Sequence, residues 1–267
     1  MTFDKTEQPA ARICCLLKFD LKNIMKTIIL LLAYTQIICS NNHNEKVNDS
    51  LYLKFMTDVE IIRKKHFLEI NKEAFQEFVI GFSNCIESKK IKKINVASII
   101  DFSKSSNEKR IYILDLNEMK IVHKSLVAHG RNSGNEFANL FSNEDGSKMS
   151  CPGFLVTMKP YSGKHGYSLK LEGLESNIND NSSKRAIVIH GADYVSEEFI
   201  KKYGRLGRSW GCPALPLFKN RKIIDAVKGG SLIYIYSIKK VVNLKSNLRI
   251  VRKKTIETFY SLFGDSV

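Results

Sequence analysis

Between residues 51 and 90 the apolar positions recur at spacings of three and four, whereas after residue 93 they cluster into short β-branched and aromatic runs. In "EAFQEFVIGFSNCI", Phe75, Phe78, Val79, Phe82, Cys85 and Ile86 fall on one helical face. Asn71 stands before that stretch as a cap, and Glu73 lies in its first turn, where a carboxylate favours the positive end of the helix dipole. Residues 51–93 therefore predict a helical region of two helices. Beyond it, "INVASIIDF" (94–102), "RIYILDL" (110–116), "KIVHKSLVA" (120–128), "FLVTM" (154–158), "YSLKLEGL" (167–174), "RAIVIHG" (185–191) and "SLIYIYSI" (231–238) read as strands. Clusters of Asn, Asp, Gly and Ser separate them. "DLNEM" (115–119) predicts a hairpin turn, and "SEEFIKKYG" (196–204) a short helix capped by Ser196 and closed by Gly204. The pattern predicts an α+β chain: a short helical preface, then a mainly β domain over 94–238, a normal domain size. The last stretch, 239–267, is basic, with a terminal helix from about Thr255.

The amino terminus adds a compartment. From Met25 the chain reads "MKTIILLLAYTQIICSNN": one lysine, an apolar run from Ile28 to Cys39, then a polar linker over 40–50. That is the layout of an export signal, too short for a comfortable membrane span. Residues 1–24 are polar and charged, an odd preface to a signal, so translation is expected to begin at Met25 and the signal to occupy 25–39. Cys39 before Ser40 resembles a lipoprotein cleavage site, although "QIIC" lacks the usual small residue before the cysteine. The expected location is the periplasm or cell envelope, with membrane attachment through a lipidated Cys39 as an additional expectation.

Charge and composition exclude more than they identify. With 43% hydrophobic residues the chain is ordinary globular protein, and its formal charge of +15 raises the question of nucleic acid. The basic residues are scattered through short runs such as "RKK" and "KKIKK", without a nucleic-acid motif or aromatic ladder. A polyanionic envelope or simple solubility accounts for the charge equally well, and no nucleic-acid partner is expected. Nor is a metal or other cofactor: no spacing of histidine, cysteine or carboxylate suits zinc, and there is no phosphate loop. A monomer is expected.

Three of the six cysteines, Cys14, Cys15 and Cys39, lie before or at the end of the signal, leaving Cys85, Cys151 and Cys212. An odd count in an exported chain suggests a free, reactive thiol. Cys85 fits a helix core; Cys151 precedes Pro152 and either pairs with Cys85 or is idle. Cys212 sits in "GRSWGCPALP", a small-residue loop with the chain's single tryptophan. A cysteine attacks as thiolate, so it needs a basic neighbour. Of the six histidines, His43, His66 and His123 have bland explanations, while His129 and His165 sit in glycine-rich loops and remain candidates for supporting roles. His190 ends the most apolar strand, "AIVIHG", where Gly191 is expected to turn the chain sharply and expose the imidazole. "SWGC" follows after 18 intervening residues.

A strand ending in His-Gly followed by Ser-x-Gly-Cys resembles the murein L,D-transpeptidase catalytic domain, the YkuD-like fold. The resemblance extends through "IIDFSK", "VAHGRNSGNEFANLFSN", "GKHGYSLKLEGLE", "RAIVIHGADYVSEEFI" and "GRLGRSWGCPA", covering roughly residues 70–238. It implies a β-sandwich catalytic domain acting on the peptide stems of bacterial peptidoglycan. Two positions depart from the better-known form of the family: Trp210 stands where histidine is common after the motif serine, and Ala214 where arginine or asparagine usually follows the cysteine. Cys212 as nucleophile and His190 as base carry over, with Ser209 orienting the imidazole or the turn and N–H groups around Gly211 and Cys212 as the oxyanion hole. Arg208, Arg205, Gly191, Trp210 and Tyr194 are the candidate substrate contacts. The same residues serve an L,D-carboxypeptidase, in which water replaces the acceptor amine, and a catalytically silent wall-binding protein would keep the fold without the chemistry.

Overall fold

The computed structural model describes residues 47–86, 88–237 and 247–267. The signal-like run, the start at Met25, the cysteines at 14, 15 and 39 and most of the polar linker lie outside the described residues. Two helices come first, α1 (Asp49–His66) and α2 (Lys72–Cys85). Each begins at an asparagine that supplies an acceptor to an otherwise orphaned N–H: Asn48 Oδ1 accepts from Leu51 at 2.7 Å and Asn71 Oδ1 from Ala74 at 3.0 Å. Then come β1 (Val96–Asp101), β2 (Ile111–Asp115), β3 (Lys120–Ser125), β4 (Gly153–Gly163), β5 (Gly166–Gly173) and β6 (Val188–Ala192). They are followed by α3 (Glu197–Tyr203), β7 (Ala214–Pro216), α4 (Leu217–Val227), β8 (Leu232–Tyr236) and α5 (Lys253–Phe263). Asp115 Oδ1 closes the β2–β3 turn by accepting from Asn117 and Glu118, and Ser196 Oγ and the left-handed Gly204 bound α3.

All eight strands join one mixed sheet in the order β3-β2-β1-β8-β4-β5-β6-β7, with β1–β8 and β6–β7 parallel. Alternation along the strands feeds two cores. Ala97, Ile99, Phe154, Val156, Leu232 and Tyr234 face α1, α2 and α5, where Gly81 leaves room for the Phe154 ring stacked on Tyr234 at 4.3 Å. Ile100, Ile113, Leu155, Leu169, Ile189 and Ile233 face the other way and enclose Ile223, Ile224 and Val227 of α4. α4 touches both β2 and β7, which are six positions apart in the strand order. Neighbouring strands lie about 4.8 Å apart and a helix is about 10 Å across, so a flat sheet could not meet one helix at both places. The sheet therefore bends around α4. The described strands thus form one hydrogen-bonded sheet within an α+β fold.

Three sequence expectations change. His190 does not end its strand: β6 continues through Gly191, which pairs with Leu215, to Ala192. Glycine there serves close packing under α4 and not a turn: a Cβ would lie 3.1 Å from Leu217 Cδ2 and 3.2 Å from Asn220 Cβ, tight contacts that a small side-chain shift relieves. Nor do Cys85 and Cys151 pair. Both are free and buried in different cores, where loss of hydration pushes their thiols up to about 12 and about 11. Finally, residues 214–216, read as loop, form β7, and 217–227, to which the sequence assigned no element, form α4. Among the described residues no helix is long and apolar enough to cross a membrane.

Candidate active site

The short parallel pair β6–β7 brings the histidine and the cysteine together. His190 lies opposite Ala214, the first residue of β7, and Cys212, in the loop just before β7, lies beside Val188 of β6: the Val188 N–H reaches Cys212 Sγ at 3.5 Å. The thiol points toward the Ala186 carbonyl at 3.7 Å, and among the described residues it makes no hydrogen bond to the imidazole. His190 is 3% exposed, so it is buried rather than displayed at a turn. Its Nδ1 donates to the Gly191 carbonyl at 3.0 Å, which leaves Nε2 as the ring's free basic nitrogen.

Burial sets the resting charge. Desolvation raises the Cys212 thiol against the opposing effects of the Val188 N–H and the Arg185 charge. Desolvation also lowers His190, with the nearby His165 acting the same way and the Gly191 carbonyl opposing. Both shifts favour a neutral thiol beside a neutral imidazole over a thiolate–imidazolium pair.

The loop carrying Cys212 is fixed by partners far away in sequence. Ser209 Oγ donates to the Cys212 carbonyl at 2.6 Å and accepts from the Gly211 N–H at 3.1 Å, so it holds the turn and not the imidazole. That bond consumes the Gly211 N–H expected to serve an oxyanion; the Cys212 N–H has no acceptor among the described residues. Gly211 itself has φ +125°, and a Cβ there would lie 2.8 Å from the Met149 carbonyl oxygen. Segment 128–131 runs alongside: Ser209 donates to His129 O at 2.9 Å, Arg131 donates to Ser209 O at 2.8 Å, and Ala128 pairs with Ala214. Ser150 Oγ bridges the two segments, accepting from Gly130 at 3.0 Å and donating to Gly211 O at 3.1 Å.

The candidate substrate residues divide. Trp210 is 70% exposed, with Lys148 Nζ 4.8 Å from its ring centre. Tyr194 packs where Gly207 leaves room, and burial followed by the proximity of Cys212 pushes its hydroxyl up to about 12. Arg208 donates to Arg131 O, Gly134 O and Asn135 Oδ1, and Arg205 to the carbonyl of its neighbour Leu206, so both serve the loops. Gly191 lies under α4. Sequence reasoning missed Arg185, a cation whose charge acts on the thiol and whose guanidinium donates to Ser142 O and Met149 O at 2.5 Å each. It also missed the buried Arg110, which donates to Val127 O and to His129 Nδ1 at 2.8 Å. Neither stands in a charge pattern that marks it out. Among the described residues no three His, Cys, Asp or Glu side chains are grouped as metal ligands would be.

The model of the L,D-transpeptidase catalytic domain family (YkuD_2) matches residues 67–236. No curated protein matches the chain. Solved structures with some similarity include an L,D-transpeptidase from Mycobacterium smegmatis, 10% identical over 54% of this chain and 59% of that one, TM-score 0.34. L,D-transpeptidase 3 from Mycobacterium tuberculosis is 11% identical over 54% and 61%, TM-score 0.35. A mutant L,D-transpeptidase from Enterococcus faecium is 10% identical over 55% and 50%, TM-score 0.35. The chain thus spans between half and about three fifths of each of these proteins.

Proposed function

The chain belongs to the L,D-transpeptidase catalytic domain family, and on that premise we propose that it is an exported cysteine acyltransferase acting on peptidoglycan peptide stems. The observation that carries this reading is the β6–β7 pairing, which holds the loop with a partly buried free cysteine next to the strand that carries a tautomer-fixed histidine. The envelope location follows from the substrate class and from the signal-like run before residue 40, with Cys39 as the candidate lipid attachment point.

In this reading the resting pair is neutral. When a stem carbonyl reaches the site, rotation about the Cys212 Cα–Cβ bond swings the thiol from Ala186 O toward His190 Nε2. Nε2 takes the thiol proton as sulfur bonds to the carbonyl carbon, and the developing oxyanion is met by the unengaged Cys212 N–H. Apo sites commonly hold such bonds long until substrate arrives. Collapse breaks the carbon–nitrogen bond, and the leaving amine departs with the proton from the imidazolium, leaving a thioester. An acceptor amine, losing its proton to His190, then attacks the thioester; the imidazolium returns that proton to the departing sulfur. Ser209 and Ser150 keep the loop rigid through these steps, and exposed Trp210 and half-buried Tyr194 offer surfaces for the stem.

The test is mass spectrometry of products from the purified protein incubated with tetrapeptide muropeptides. Cross-linked products support the transferase, shortened stems alone support the L,D-carboxypeptidase, and neither product in a folded, reduced protein supports a wall-binding role without chemistry. Cys212→Ala should abolish either product.

A further inference from the structure

A second imidazole reaches the site from a different part of the sheet. Only Lys164 and His165 separate the ends of β4 and β5, and Gly166 takes φ +71° to complete the turn. This hairpin tip extends beyond the sheet, since β5 pairs with β6 only at Leu169 and Lys170. It is nevertheless tied down by α4. Asn220 Nδ2 donates to Tyr167 O at 2.6 Å, the Tyr167 hydroxyl donates to Asp225 at 2.7 Å, and the Arg221 guanidinium lies 4.5 Å from the Tyr167 ring centre. Held in this way, the His165 ring stacks on His190 with centroids 4.6 Å apart and planes 30° apart.

Resting on the cysteine–histidine reading above, we propose that His165 is a positioning residue for His190, a second imidazole that fixes the first ring and opposes a second positive charge beside it. Stacking occupies one face of the His190 ring while the Nδ1 bond to Gly191 O fixes its edge, so Nε2 is held in one direction. Two stacked imidazolium ions repel each other, so a charge on the exposed His165 opposes a second charge on the buried ring. Its charge then keeps the buried base unprotonated at pH values where a lone imidazole would already be charged. Among the described residues His165 is the ionisable side chain whose charge acts on His190; α4 presents uncharged Leu217 and Asn220 at Gly191, and burial favours the neutral thiol of Cys212.

The experiment follows alkylation of Cys212 by iodoacetamide across pH 5 to 9 in the full-length protein, read on the Cys212 peptide, and so needs no peptidoglycan turnover. His165→Phe keeps a stacked ring without charge; His165→Ala removes ring and charge. The acid limb of the profile should move upward in both, making His165→Phe about threefold to tenfold slower than the parent at pH 5.5, equivalent to between half and one pH unit. At pH 8 His165→Phe should match the parent, while His165→Ala should be slower because its imidazole is no longer held. An unmoved acid limb in both variants overturns the proposal. His190→Ala separates the two ideas: if it too leaves the limb in place, the cysteine–histidine reading itself fails, whereas loss of the limb only in His190→Ala leaves that reading standing and removes His165 from it.

Discussion

Arg110 Nη2 and His129 Nδ1 meet 2.8 Å apart in the interior, and neither residue is more than 1% exposed. A guanidinium only donates, so Nδ1 accepts, Nε2 carries the hydrogen, and it is given to Gly134 O at 3.3 Å. Arg208 donates to the same carbonyl. A polar chain thus runs from the core to the segment against which Ser209 is paired. Arg110→Met should leave the carbonyls of Val127 and Lys104 unpartnered and lower stability by at least about 2 kcal/mol in urea unfolding. The fraction that remains folded should still be acylated at Cys212, because Arg110 does not touch the thiol.

The same pair makes stability depend on pH. Burial, then the Arg110 charge, pushes the His129 imidazole down to about 3. In the unfolded chain it titrates near its ordinary value of about 6.5, so below that pH the unfolded state binds a proton the folded state refuses. The stability from this site is therefore fully present above about pH 6.5 and is lost as pH falls toward 3, by about 1.4 kcal/mol for each pH unit within that window. His190, also lowered, contributes in the same direction. Unfolding midpoints measured between pH 4 and 8 should fall on the acid side, and the slope should flatten in His129→Gln.

Gly211 and Gly191 should respond differently to alanine. At Gly211 the backbone is in a region that suits glycine and the new methyl meets a carbonyl of the main chain, so strain of about 1 to 3 kcal/mol is expected, concentrated in the cysteine loop. Turnover of tetrapeptide muropeptides through Cys212 should fall by about 100-fold or more, the scale associated with a displaced oxyanion donor. At Gly191 the nearest atom is the end of the Leu217 side chain, which can move. Gly191→Ala should therefore retain most activity, with a modest drop in melting temperature.

Cys85 and Cys151 should be silent. Both thiols are buried and held protonated at neutral pH. Peptide mapping after brief alkylation of the native protein should label Cys212 well ahead of both, and peptides from non-reduced protein should show no Cys85–Cys151 link. Cys151→Ala should leave Cys212 chemistry intact even where it lowers stability.

What could be read from the chain was local chemistry. The asparagine before α2, the serine and glycine around α3 and the aspartate in the β2–β3 turn act within a few residues, so composition alone located them. β7 and α4 escaped because their signals are masked. β7 has three residues, one of them proline, and exists only because β6 lies alongside; α4 begins with exposed Leu217 and Phe218 and buries Ile223, Ile224 and Val227 against strands distant in sequence. The cysteine and histidine stood out by residue type and spacing, but their partners did not. Ser150, Arg185, Arg110 and the ring of His165 reach the site through pairings that no window of sequence contains. The exposure expected of His190 failed for a related reason: its strand continues and pairs with β7, and the ring of His165 stacks on it.

β8, the last of the described strands, lies between β1 and β4 at the middle of the sheet. Its partners are separated from it by more than 60 residues on one side and more than 130 on the other. During synthesis, β1–β3 and β4–β7 lack the strand that joins them in the sheet, and β1 and β4 keep open edges, until residue 236 has emerged. A chain delivered from its amino terminus through a narrow pore would thus stay unfolded for most of the journey and close only on the far side. Truncations that stop before Leu232 should yield aggregation-prone products, not a smaller working domain.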